Sequence, residues 1–73
     1  MITLEEAKAL KPGKILYHTS YKNADGTAQR WKVIGKPKTW KTQPERVEIS
    51  LKYGLYCYDK LDETMLHLVS LNP

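Results

Sequence analysis

Polar and apolar residues alternate with a period of two through most of this chain. Between Arg46 and Lys52 the alternation is strict: Val47, Ile49 and Leu51 fall on one face, and Arg46, Glu48, Ser50 and Lys52 on the other. Such a run predicts a strand with one buried face. Ile15 to Tyr21 is rich in aromatic and β-branched residues and predicts another strand. A turn follows at Asn23-Ala24-Asp25-Gly26-Thr27, where Asp25-Gly26 supplies residues that tolerate positive φ. Gln29 to Ile34 predicts the returning strand, with Trp31 and Val33 on one face and Arg30, Lys32 and Ile34 on the other. Gly35-Lys36-Pro37 turns the chain, and Lys38 to Thr42 predicts a short extended piece; Pro37 cannot donate to a ladder. Gln43-Pro44 reads as a second break. Tyr53-Gly54 predicts a turn or bulge. Leu55 to Leu61 predicts a strand with Leu55, Cys57 and Leu61 set against Tyr56, Tyr58 and Lys60, and His67 to Leu71 a final strand closing on the first.

The period changes at the N-terminus. Thr3-Leu4-Glu5-Glu6 is a capping box, and Leu4, Ala7 and Leu10 recur at helical spacing until Pro12-Gly13 stops the helix. About two turns result, too few to be stable without packing. Asp62-Glu63-Thr64 predicts one further short helical turn. Short strands with turns every eight to ten residues, and a helical turn before the last, predict a mainly β fold. The best match is an SH3-like small five-stranded barrel with a short N-terminal helix; an OB-fold needs longer strands. The predicted organisation is a single domain over 1–73, with the helix in 2–10 and the barrel in 14–73.

Seventy-three residues bury only about 60 % of the surface the unfolded chain exposes, which leaves a thin stability margin and no room for a deep cleft. Cys57 is the only cysteine, so an internal disulfide is excluded. A small secreted domain would carry several, so a reducing cytoplasm is expected. The apolar phase of Cys57 predicts a buried, inert thiol. Residues 1–10 contain no apolar run of signal-peptide length, and no stretch has the 18 apolar residues of a membrane span. With no basic amphipathic helix, no membrane partner is expected.

Charge changes the picture more. The chain carries a formal +4, and residues 30–41 hold five basic side chains, both tryptophans and no acid. A basic surface interleaved with large aromatics suits an anionic partner, nucleic acid above all. Arg30, Lys32, Lys36, Lys38 and Lys41 are the candidate phosphate contacts, and Trp40, between two breaks, the candidate stacking ring. Trp31, in phase with Val33, is expected to face the core. The competing reading is a solvated edge whose lysines block unwanted strand pairing. Tyr56 and Tyr58, opposite Leu55 and Cys57, form a second candidate surface, for contact with a host protein.

Nothing in the chain has the spacing of an active site. His18, His67 and Cys57 lack metal-ligand spacing. Asp62-Glu63, close to Asp59, reads as a helix start, and Gly35-Lys36 lacks the context of a phosphate loop. The expectation is a non-enzymatic binding module without metal or cofactor, as a monomer or homodimer.

Leu16-Tyr17-His18, the Lys22 to Thr27 turn, Arg30-Trp31-Lys32-Val33, Gly35-Lys36, Lys38-Thr39-Trp40-Lys41 and Gly54-Leu55-Tyr56 resemble a group of very short bacteriophage and prophage proteins. The resemblance covers roughly residues 10–61. It implies a phage or prophage origin and a bacterial or infected-host cytoplasm. It carries over no functional residue.

Overall fold

Thr3 opens the first element as its capping box dictates. In the computed structural model, which describes residues 1–73, the Thr3 hydroxyl accepts from the Glu6 N–H at 3.1 Å, and the Glu6 carboxylate accepts from the Thr3 N–H at 2.9 Å. Helix α1 spans Leu4–Lys8 and buries Ala7. So short a helix depends on its cap and its packing. Thr3→Ala is therefore expected to cost about 1 kcal/mol. Thermal unfolding would read this as a melting point lower by about 4–8 °C.

Six strands follow: β1 Ile15–Lys22, β2 Ala28–Val33, β3 Lys38–Trp40, β4 Gln43–Tyr53, β5 Cys57–Asp62 and β6 Val69–Ser70, with a 3-10 helix at Glu63–Leu68 before the last. They form one antiparallel sheet in the order β3-β4-β2-β1-β6, with β5 added on β4. β2 and β3 follow one another along the same edge of β4. Lys32 and Val33 lie opposite Lys52 and Leu51, and Lys38 and Thr39 opposite Glu48 and Val47. Pro37 sits in the bend between them, where its missing N–H removes no ladder bond. β5 takes the other edge of β4, Glu48–Tyr53 against Asp62–Cys57.

The mainly β fold with a short N-terminal helix is as expected; the closed five-stranded barrel is not. The sheet has six strands, and no ladder joins β5 to β6. The reason lies in residues 63–68, which cross between the sheet's ends as a 3-10 helix and leave only two residues, Val69 and Ser70, to pair with β1. His67 and Leu68 thus belong to that helix and not to the last strand. Gln43-Pro44 is no break either. A two-residue turn at Lys41 and Thr42 joins β3 to β4, and Gln43 and Pro44 are the first residues of β4.

One core joins the elements. Leu16, Val33, Val47, Ile49, Leu51, Leu61 and Val69 from the strands meet Ala7 of α1, Ile2 and Leu10 on either side of it, and Leu66 of the 3-10 helix. The alternation in β4 buries the three residues it assigned inward. In β5 the same phase fails for two of three: Leu61 is buried, but Cys57 is exposed and Leu55 is 73 % exposed. The tip of the β4–β5 hairpin lies beyond the core cluster, whose last members here are Leu51 and Leu61, so Leu55 and Cys57 have no core residue to pack against. Leu55 falls in the turn and not in the strand. Trp31 faces the core side, half-buried, and stacks on Tyr53 with ring centroids 5.3 Å apart. The Tyr53 hydroxyl donates to Asn23 Oδ1 at 2.8 Å and ties the hairpin to the β1–β2 turn. No helix is long and apolar enough to cross a membrane.

His18 is the one buried polar residue. Its Nδ1 accepts from the N–H groups of Ser20 and Tyr21 at 3.0 and 2.9 Å, and its ring stacks on Tyr21. An accepting Nδ1 requires the neutral imidazole. Burial holds its pKa below the ordinary 6.5, against a smaller opposing pull from Asp59. The folded chain therefore takes up this proton less readily than the unfolded chain. The associated stability is complete above about pH 6.5 and is lost as pH falls toward the lowered folded value. The denaturant midpoint is expected to drop between pH 7 and pH 5, and His18→Ala to remove that component of the drop. An identical pH profile in the variant would contradict the assignment.

Candidate nucleic-acid interface

The strand alternation that fills the core also decides which side chains share the opposite, outer face. On β4 these are Arg46, Glu48, Ser50 and Lys52. The register carries the face sideways. Lys52 lies opposite Lys32 of β2 on one side and Tyr58 of β5 on the other. Ser50 lies opposite Lys60, and Glu48 lies between Lys38 and Asp62. Arg30 lies opposite Tyr17 of β1. The outer face thus gathers Arg30, Lys32, Lys38, Arg46, Lys52 and Lys60 against two acids, Glu48 and Asp62. Its balance of +4 equals the formal charge of the whole chain, so the remaining six cations and six acids cancel.

Little on this face neutralises those cations. The Lys60–Glu48 contact at 3.6 Å is the molecule's one ion pair. Asp62 is used mainly as a cap of the 3-10 helix, accepting from the Thr64 hydroxyl and N–H; these bonds, with a smaller pull from Arg46, hold its carboxyl below the usual range. Lys32 and Lys52, directly opposite each other, have no acid partner. Like charges facing across a ladder are destabilising, so this pair opposes folding unless an anion lies between or above it.

Three aromatic rings occupy the same face, each beneath a cation. The Arg46 guanidinium lies 3.9 Å from the Trp40 ring centroid and Lys38 Nζ lies 5.2 Å from it. Arg30 lies 5.8 Å from the ring of Tyr17, and Lys52 Nζ 5.5 Å from that of Tyr58. Such contacts at exposed sites are worth about 0.5–1 kcal/mol each. They also hold long cationic side chains over the sheet in place of letting them sweep through solvent.

Four of the six residues expected from sequence, Arg30, Lys32, Lys38 and Trp40, share this face. Lys36 and Lys41 are exposed but lie in the bend and the turn at either end of β3. Trp40 is not the free ring that its place between two breaks suggested. It is half-buried, and Arg46 covers its face. Tyr56 and Tyr58 are exposed, at 88 % and 63 %, but they separate: Tyr56 is in the hairpin turn, whereas Tyr58 stands beside Lys52 on the charged face. Arg46, Lys52 and Lys60 were missed. The alternation in 46–52 marked two of them as outward, and Lys60 stands out of phase with buried Leu61. The absent signal was register, because nothing local in the sequence says that Lys52 will lie beside Lys32.

No three His, Cys, Asp or Glu side chains converge as a metal ion would require. Asp25 stabilises its own turn by accepting from the Thr27 hydroxyl at 2.6 Å and N–H at 3.0 Å, which hold its carboxyl below the usual range. Comparison of the chain with known protein families, curated proteins and solved structures found no match.

Proposed function

We propose that this chain is a small non-enzymatic module that binds nucleic acid through the outer face of β2, β3, β4 and β5. The observation that carries the reading is the excess of cations on that face, six against Glu48 and Asp62, with Lys32 and Lys52 paired across the ladder and neither holding an acid partner. Lys32, Lys52 and Lys60 would contact phosphates at the centre, with Arg30, Lys38 and Arg46 around them. Lys36 and Lys41 would extend the field at the β3 end. Binding would release condensed counterions and so weaken with salt. The order of β1, β2, β4 and β5, with a 3-10 helix ahead of a last strand that returns to β1, supports an opened SH3-like barrel as the finer description of the fold.

Titration of labelled single- and double-stranded DNA and RNA tests this. With about four phosphate contacts, affinity is expected to fall about 100-fold between 50 and 200 mM salt. Absence of binding to every nucleic acid at low salt would overturn the reading. A second reading, docking on a host protein, draws on the exposed Leu55 and Tyr56 at the hairpin tip. Recovery of one host protein from nuclease-treated bacterial lysate, lost in the double variant Leu55→Ser, Tyr56→Ser, would favour it.

A further inference from the structure

Within the charged face lies a shallow apolar groove whose chemistry is not that of a phosphate site. Ile34, Ser50, Tyr58 and Lys60 line it from the outward phase, and Leu51 and Asp59 complete the lining from the opposite phase. Ile34 continues the outward phase of β2 beyond its last paired residue, and its N–H donates to the Ser50 carbonyl at 3.1 Å, which fixes it beside β4. Ile34 is 42 % exposed and Tyr58 63 %, so two large apolar surfaces are open to solvent among the cations, with Asp59 the one acid of the lining. Ser50, the small residue between them, keeps the space open. Lys60 stands on one side, and the Lys52 ammonium on the other, 5.5 Å from the Tyr58 ring.

A phosphate would gain nothing from an isoleucine and a tyrosine ring. A duplex would present phosphates to this face and keep its bases stacked inside. An unstacked base, flat, apolar on both sides and joined to phosphates, matches the groove and its rim together. We infer that the groove between Ile34 and Tyr58 is a nucleobase subsite, with a base lying against the Tyr58 ring and the flanking phosphates on Lys52, Lys32 and Lys60, so that the module prefers single strands to duplex. This rests on the nucleic-acid reading and narrows it.

The test compares, at one salt concentration, a labelled single-stranded oligonucleotide, the duplex of the same length, and a single strand of the same length made of abasic sites. The intact single strand is expected to bind about tenfold or more tighter than either of the others. Tyr58→Ala should remove about tenfold of single-strand affinity, weaken the abasic strand far less, since there only the ring's hold on Lys52 is lost, and be rescued by Tyr58→Phe. Tyr58 is exposed, so these variants leave the core untouched. Equal or tighter binding of the duplex, or single-strand affinity indifferent to Tyr58→Ala, would overturn the subsite while leaving an electrostatic nucleic-acid interface standing. Failure of all three probes at low salt would overturn the broader reading on which the subsite rests.

Discussion

Truncating Ile49 to alanine is expected to take most of the stability from this protein. Ile49 sits in the middle of β4, the strand that pairs with β2, β3 and β5, and its side chain is fully buried. Removing a buried aliphatic side chain of this size costs about 2–5 kcal/mol, because the apolar contacts and the space they filled are both lost. A domain of this length has few other contacts with which to close the gap. At about 4–8 °C for each kcal/mol, the melting point should fall by about 10 °C or more. With a native margin of about 5 kcal/mol, the upper end of that cost leaves the variant largely unfolded at growth temperature. Thermal denaturation followed by far-ultraviolet circular dichroism measures this. A shift of only a degree or two would mean that the sheet is not organised around β4.

The second large effect concerns binding. Lys32→Glu, Lys52→Glu and Lys60→Glu together replace the central cations of the outer face by acids. Each contact of a charged group is worth about 1.5–3 kcal/mol, or about tenfold or more in affinity. Non-additivity among neighbours reduces the total, so a loss of about 100-fold or more is expected. The slope of log affinity against log salt should flatten as well. Fluorescence anisotropy at low salt reads both. All three side chains project from the face away from the core, so the variant should keep its fold. Its one lost ion pair, Lys60–Glu48, is exposed and contributes little. Reversing Lys8, Lys11 and Lys14 instead, also three lysines but outside the outer face, should change affinity far less. Equal losses in the two triple variants would show that net charge, and not this face, governs binding.

Much of the fold is written locally in the sequence. The capping box at Thr3 and the alternation of Val47, Ile49 and Leu51 are short-range signals, and both appear in the structure as expected. The Asp25-Gly26 turn is equally local, with Gly26 at a φ of +87° that side chains with a Cβ rarely adopt. What failed depended on where neighbouring elements end. Cys57 has the phase of a buried residue, but burial needs an opposing element, and the hairpin outruns the core at that point. Closure of the sheet depended on how many residues the 3-10 helix would take from the last strand, which periodicity over so few residues does not decide.

The candidate site was half legible for the same reason. Acid-free clustering of charge drew attention to residues 30–41, and Arg30, Lys32 and Lys38 are on the charged face. A linear window, however, takes in Lys36 and Lys41, which are near in sequence, and leaves out Lys52 and Lys60, which the ladder brings near in space. The Trp40 ring, between breaks in the sequence, is capped by an arginine six residues away. Contacts between strands decide which cations converge, and those contacts are a property of register.

Everything proposed for the outer face turns on Lys32 and Lys52 being held opposite each other for an anion, at some cost to the fold. The single substitution Lys32→Glu separates that role from ordinary surface charge, with stability and affinity measured on the same sample. The introduced carboxylate would face Lys52 across the ladder as an opposite charge, a change worth about 0.2–1 kcal/mol in favour of the folded state. The melting point should then rise by a few degrees, while affinity for single-stranded nucleic acid falls about tenfold. A variant that is more stable and binds as well as the native chain would show instead that the lysine pair is an ordinary solvated surface with no anion to hold.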